Sequence, residues 1–259
     1  MGGGPARADQ GSAEEWQSSF TPYLWAPTIH GELNFTIPSG GGLTGPPVGV
    51  TLTPSQYVPK LDSGFMFAAE THNRTWGLAT DIIYMNLGVS SAGVTDIHGP
   101  LGHINIPINT NMTMRFASTV WTLDGTYSLA NTRHWMLDAL AGGRYIYAPI
   151  RLTWNFSGPL GILTAQGTHF ESASIWDAII GAKGQVALGD GHWYIPYYVD
   201  VGTGEAPTTW QGIGGVGYSF KNHNSILLVY RNLYYNQGGS KLLHELNLGG
   251  PALGYRFQL

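Results

Sequence analysis

Beyond residue 60 the chain reads largely with a period of two, the repeat of strands that hold one face in an apolar medium and the other in a polar one. Trp76, Leu78, Thr80, Ile82 and Tyr84 share one side, with Gly77, Ala79 and Asp81 on the other. Trp121, Leu123, Tyr127 and Leu129 oppose Thr122, Asp124, Thr126 and Ser128, and Trp135, Leu137, Ala139, Tyr145 and Tyr147 oppose Asp138 and Arg144. The same division sets Trp176, Ala178, Ile180 and Val186 against Asp177, Lys183 and Gln185. It sets Trp193, Ile195, Tyr197, Val199 and Val201 against Asp200, and Ile226, Leu228, Tyr230 and Tyr234 against Arg231. Four short breaks, at 72–75, 130–134, 189–191 and 221–224, carry Asn, Asp or Gly, residues that accept left-handed backbone or bond their own main chain. Longer Gly-, Pro- and Ser-containing connections fall near 33–62, 88–110, 156–168, 203–208 and 236–240. The pattern predicts ten strands, near 16–31, 63–72, 76–88, 111–129, 135–150, 170–188, 192–203, 208–220, 225–236 and 242–257. An even strand count with alternating short turns and long loops is the signature of a single closed antiparallel transmembrane β-barrel; eight or twelve strands would fit the same reading.

Composition sharpens this. The 259 residues include 37 glycines and 32 aromatics (9 Trp, 14 Tyr, 9 Phe), with only 11% charged, less than half the roughly 25% of ordinary soluble domains. A hydrophobic content of 43% excludes a disordered chain, and the absence of cysteine excludes disulfide scaffolds and thiolate metal sites. Twelve Lys and Arg against 16 Asp and Glu, net charge -4, exclude a nucleic-acid surface. No apolar run approaches the roughly 20 residues of a spanning helix, whereas strands of roughly 9–11 residues with alternate residues apolar can cross a bilayer. Such strands keep mean hydropathy near zero, and it is -0.05. A soluble lipocalin-like ligand-binding barrel would reverse the faces and need many more exterior charges. Trp76, Trp135 and Trp193 directly follow short turns, where a membrane barrel carries its interfacial aromatic girdle. Residues 15–259 are therefore expected to form the barrel. Residues 1–14 are expected to be a flexible segment in which Ala6-Arg7-Ala8 resembles the end of a signal peptide.

The chain resembles a largely uncharacterised family of proteobacterial outer-membrane β-barrel proteins. The resemblance rests on TPYLWAPTIHGEL (21–33), WDAIIGAKGQVALGDGHWYIPYYVDVGTG (176–204), TWQGIGGVGYSF (209–220) and KLLHELNLGGPALGYRF (241–257). It implies an outer-membrane location, contact with outer-membrane lipid and lipopolysaccharide, and delivery by the barrel assembly machinery. It implies no substrate. Leu253, Tyr255, Phe257 and Leu259 alternate to the last residue like the terminal strand which that machinery reads, although such strands usually end in Phe or Trp.

The polar parity assigns an inward row: Glu70, Asp81, Asp124, Asp138, Arg144, Asp177, Lys183, Asp200, Arg231 and Glu245. Ten strands enclose a narrow lumen, so these charges are expected to meet, as a salt-bridged plug or a polar path for a small solute. Acids and bases are interleaved rather than sorted into one ring, which favours the plug. Asp124 is expected nearly opposite Asp138 across the turn at 131, with Arg144 or a neighbouring cation offsetting the repulsion. The alternative is a barrel hydrolase with its site at the outer rim, where His98, His103, His169, Glu171, Glu205 and His244 fall; His169 and Glu171 share a face and could do general-base work. No spacing suggests a metal or a cofactor. Gly212-Ile213-Gly214-Gly215-Val216-Gly217 resembles a dinucleotide loop but lies within a strand with no helix after it. At Gly249-Gly250 the apolar parity changes from Leu246 and Leu248 to Leu253 and Tyr255, which predicts a β-bulge. The reading that results is a non-enzymatic barrel, structural or a narrow small-solute passage, with a charged and largely filled lumen.

Overall fold

The computed structural model describes residues 15–33, 48–90, 109–132, 134–157, 164–238 and 243–259. Its strands are β1 (Gln17–Trp25), β2 (Thr28–Leu33), β3 (Val48–Leu52), β4 (Leu61–His72), β5 (Trp76–Ser90), β6 (Asn109–Asn131), β7 (Trp135–Ser157), β8 (Thr164–Leu188), β9 (Trp193–Gly204), β10 (Thr208–Ser219), β11 (Ser225–Asn236) and β12 (Leu243–Gln258). A one-turn helix, α1 (Pro54–Tyr57), and a 3-10 turn (Val58–Lys60) join β3 to β4. All pairings are antiparallel, and the sheet closes because β1 pairs with both β4 and β12. β1 and β2 are two halves of one stave, broken at Ala26-Pro27, where proline has no amide hydrogen for the ladder. Counting that stave once with β4 to β12 gives the closed ten-stranded antiparallel barrel expected from the alternation. β3 and α1 fall in the region read as loop; β3 is a short extra strand on the free edge of β2.

The four short turns form as their side chains dictate. Asn73 Oδ1 accepts the amides of Thr75 and Trp76 at 2.9 and 2.8 Å, and Thr132 Oγ1 accepts that of Trp135 at 3.1 Å. Gly189 and Gly191 take φ of 58° and 90°, the left-handed backbone that glycine adopts without strain.

Exterior aromatics form two rings. Trp76 stacks edge-on with Tyr127 near the short turns, as Trp193 does with Tyr218, and Trp135, Tyr255 and Phe257 complete that level. Phe65 with Tyr84, Trp121 and Tyr145 with Trp176, and Trp210 with Tyr234 form the second. Eight residues separate Trp76 from Tyr84 and ten separate Trp135 from Tyr145. At about 3.3 Å per residue and the usual strand tilt, this places the rings roughly 20–25 Å apart, the height of a barrel's lipid-facing band. The intervening exterior is exposed and aliphatic, including Leu78, Ile180, Val199, Val201 and Leu228. This polarity excludes the soluble lipocalin-like arrangement. On the loop side, β6, β7 and β8 reach 23, 23 and 25 residues, far beyond the span and rising above the 12-residue β9 to β11.

Two expectations are corrected. β11 and β12 pair without interruption from Ser225–Arg256 to Asn236–Glu245, so no bulge marks Gly249-Gly250. The parity change arises because Leu246 and Leu248 point inward, into an apolar interior, while Leu253 and Phe257 point outward. Asp124 stands opposite Gly142, and Asp138 opposite Ser128 and Lys183, so the two acids are four positions out of register.

Close strand approach at that register needs glycine. A Cβ on Gly142 would lie 2.6 Å from Asp124 Cα, whereas one on Gly214 meets nothing within 4 Å. Gly142→Ala is therefore expected to lower the free energy of unfolding from detergent micelles by about 1–3 kcal/mol. Gly214→Ala should leave it unchanged or raise it by up to about 1 kcal/mol. Urea titrations followed by tryptophan emission will measure both.

Candidate functional site

The barrel interior is layered. In the half nearest the short turns, side chains from nearly every stave surround a chamber of about 510 Å³. Its mouth is ringed by Gln17, His72, Asn131, Gln185 and Gln258, at the strand ends beside those turns and the C-terminus. Six of the ten residues assigned inward line this chamber: Glu70, Asp81, Asp124, Asp138, Lys183 and Arg231. Lys183 stands opposite Asp138 in register, yet its Nζ reaches across to Glu70 at 2.8 Å.

Arg231 organises the chamber roof. Its Nη2 lies 2.9 Å from Asp81 Oδ1, its Nη1 donates to Tyr23 Oη at 2.9 Å, and Nε and Nη2 donate to Gln211 Oε1 at 3.1 and 2.7 Å. Tyr23 in turn donates to Asp81 Oδ2 at 2.8 Å. The guanidinium also lies 5.0 Å from the centre of the Trp25 ring. Beside this group is a second, dry one. Arg144 and Asp200 are fully buried and form a two-pronged ion pair, with Nη1 to Oδ1 at 3.0 Å and Nη2 to Oδ2. Arg144 Nε donates to Thr122 Oγ1 at 3.2 Å and Nη1 to Thr209 Oγ1 at 3.5 Å. Arginine's planar fork suits both networks, because it satisfies several acceptors at once in a low-dielectric interior.

One position further along each stave the inward face turns apolar. Asp81 is followed by Ile83, Met85 and Leu87; Arg144 by Ile146; Arg231 by Leu233 and Tyr235; and in descending strands Asp177 is preceded by Ile175 and Thr122 by Val120. All are buried and pack into one core with Trp25, Ile29, Tyr57 and Leu248. Tyr57 closes it from α1, its hydroxyl donating to the Pro27 carbonyl at 2.8 Å. Burial pushes that hydroxyl up to about 12, so it keeps its proton across the physiological range. This apolar layer was missed because period-two reading treats the inward face as polar throughout. Its signal was present as apolar neighbours on both faces, in Ile82-Ile83, Ile179-Ile180 and Leu233-Tyr234-Tyr235.

Two more of the acids assigned inward lie outside these networks. Asp177 is buried, and its Oδ1 accepts the Ala206 amide at 2.9 Å, holding the β9–β10 loop across the barrel end. Glu245 is a correction: its register with Asn236 gives it the outward parity of Leu253 and Phe257, because the parity that makes Leu246 and Leu248 inward excludes their neighbour. Among the rim candidates, Glu205 accepts the Trp176 amide at 2.8 Å. His169 and Glu171 pair in register with Leu152 and Ile150. Asp177, opposite Gly204, is eight positions along β8 from the backbone of His169, roughly 26 Å of strand. His98 and His103 lie outside the described residues, as do the side chains of His169, Glu171 and His244. Among the described residues no group of three or more His, Asp or Glu is placed to hold a metal ion.

Removing one partner of a fully buried ion pair strands the other charge. Arg144→Gln and Asp200→Asn are each expected to destabilise the barrel by about 3–5 kcal/mol, and the double variant by less than the sum. Chemical unfolding of the three variants in micelles will read the coupling.

No protein-family model matches the chain, and no curated protein sequence matches it. Solved structures that align with it are of low sequence identity. The outer-membrane protease OmpT of Escherichia coli is 8% identical, with 96% of this chain and 98% of that one covered and a TM-score of 0.48. Ail, the attachment invasion locus protein of Yersinia pestis, is 10% identical, covers 94% and 99%, and gives 0.34. The outer membrane protein AlkL, solved in lipid bilayers, is 12% identical, covers 100% and 96%, and gives 0.33.

Proposed function

We propose that this is an integral protein of a bacterial outer membrane whose barrel is sealed, non-enzymatic and open only towards the periplasm. Lipid-facing barrels carry short turns on the periplasmic side and long loops outside, which orients the chamber mouth inward to the cell and the tall β6–β8 wall outward. The exterior aliphatic band would lie in phospholipid and lipopolysaccharide, and the outward Leu253, Tyr255 and Phe257 of β12 suit recognition by the barrel assembly machinery. The observation that carries the sealed reading is the apolar layer above Arg144 and Arg231, in which Ile83, Leu87, Ile146, Ile175, Leu233 and Tyr235 are all buried. An ion crossing that layer would shed its water against hydrocarbon, with only the Tyr57 and Tyr235 hydroxyls among these side chains to replace it. A small-solute passage would require the layer to move. For the rim-hydrolase alternative, the backbone of His169 lies roughly 26 Å of strand from the level of Gly204, next to Glu205.

Planar-bilayer recording tests this. The protein as it stands is expected to give no steady conductance, and Asp81→Asn should give none either. Leu87→Ala combined with Tyr235→Ala, which hollows the apolar layer, should give discrete openings. A steady wild-type current whose size changes with Asp81→Asn or Arg231→Gln would overturn the sealed reading. Heat-dependent migration on SDS gels will report that each variant has folded.

A further inference from the structure

The chamber wall holds a buried carboxylate with one oxygen that receives no hydrogen bond. Asp124 is only 4% exposed, lines the chamber, and its Oδ1 receives no hydrogen bond. Its register neighbours explain this: Ala79 on one side and Gly142 on the other carry no donor. Lys183 makes its close contact with Glu70 and Arg231 with Asp81, and Arg256 stands opposite Ser225, at the strand end beside the mouth. After those two pairs the charged lining that remains is Asp124, Asp138 and Arg256, a net charge of -1 with His72 neutral. A buried carboxylate with an unmet oxygen is costly, and it is costly here at the wall of a cavity of ligand size, since such sites commonly run roughly 300–1,000 Å³.

We infer that the chamber is a binding site for a small organic ammonium compound that enters from the periplasmic mouth and donates to Asp124. A primary ammonium brings up to three N–H donors and one positive charge, which is what the unpartnered oxygen and the residual charge lack. Asp138, four positions nearer the mouth on the adjacent strand, draws the cation inward. A bare metal ion fits less well, because the described residues offer no group of three ligands. The site does not depend on whether the apolar layer above it conducts.

The test uses the full chain refolded in detergent micelles, with 1,4-diaminobutane as probe and 1,4-butanediol as its uncharged match, titrated by calorimetry. The diamine is expected to bind saturably and the diol not to bind. Asp124→Asn should weaken the diamine at least tenfold while leaving the unfolding midpoint unchanged or raised, since the amide removes a buried unpaired charge. Ala79→Lys, which sets a tethered ammonium opposite Asp124, should also abolish binding with the carboxylate intact. It provides the answer if the asparagine variant does not fold. Absence of saturable binding, equal binding of the diol, or undiminished affinity in either folded variant would overturn the assignment. Conductance is a separate readout, so failure here leaves the sealed reading standing, and a conducting wild type leaves the diamine titration interpretable.

Discussion

Closure of the sheet is the constraint on which everything else rests. In hydrocarbon each main-chain amide and carbonyl must find its partner within the protein, so a strand edge facing lipid is not tolerated. The chain meets this by pairing its first stave with its last: Ser19 to Gln258 through Trp25 to Ala252, continued above the proline break by β2 on β12. The terminal Leu259 amide donates to the Ser18 carbonyl at 2.8 Å, fastening the last residue to the first stave. Once the cylinder is closed, side-chain parity has only two destinations, lipid or lumen. The exterior then follows: two aromatic rings at interface depth and an aliphatic band between them.

Closure at ten staves creates the second problem, an interior too narrow for bulk water and too wide to leave empty. Two solutions divide it along the axis. Where arginines are available, two networks fill the cross-section, one around Arg231 and one around Arg144, each with a carboxylate and neutral acceptors. Where they are not, Ile, Leu, Met and Tyr fill it by packing. Buried ion pairs add little net stability, because desolvation offsets the attraction. The apolar layer is therefore the better candidate for the main source of interior cohesion, and the charges set which strands face one another. The Asp200–Gly181 and Asp124–Gly142 pairings support that division: glycine opposite the acid lets the strands approach, so the charged residues fix strand spacing as well as register.

Much of this was legible in the sequence. Alternation gave the strand count, the exterior face and the turns, because lipid and lumen impose opposite demands on successive residues. It placed nine of the ten charged residues inward and missed Glu245, since apolar Leu246 and Leu248 were read as lipid-facing and reversed the parity of their neighbour. The same assumption produced the expected bulge at Gly249-Gly250. Partner choice was not legible either. Lys183 sits beside Asp138 in register yet bonds Glu70 across the lumen, and Arg231 bonds Asp81, 150 residues away. Such pairings depend on barrel diameter and side-chain reach, which no local pattern encodes. Long strands such as β8 likewise spread residues that fall near one loop in sequence along the barrel axis, as the backbone positions of 169 and 177 show.

The apolar layer begins at the level where β4 loses one of its two neighbours. β4 pairs with β1 only from His72 to Phe67; beyond that point the first stave turns away, pairs with β12 and β3, and leaves the remaining half of β4 held by β5 alone. The Trp25 amide there donates to the Met66 thioether at 3.3 Å instead of a carbonyl, and α1 lays Tyr57 against the Pro27 carbonyl behind it. A polar lumen at that level would lie beside an incompletely paired wall. Met66 is opposite Ile83 in register, the first residue of the apolar layer. The interior thus becomes apolar at the level where β4 loses its pairing with the first stave.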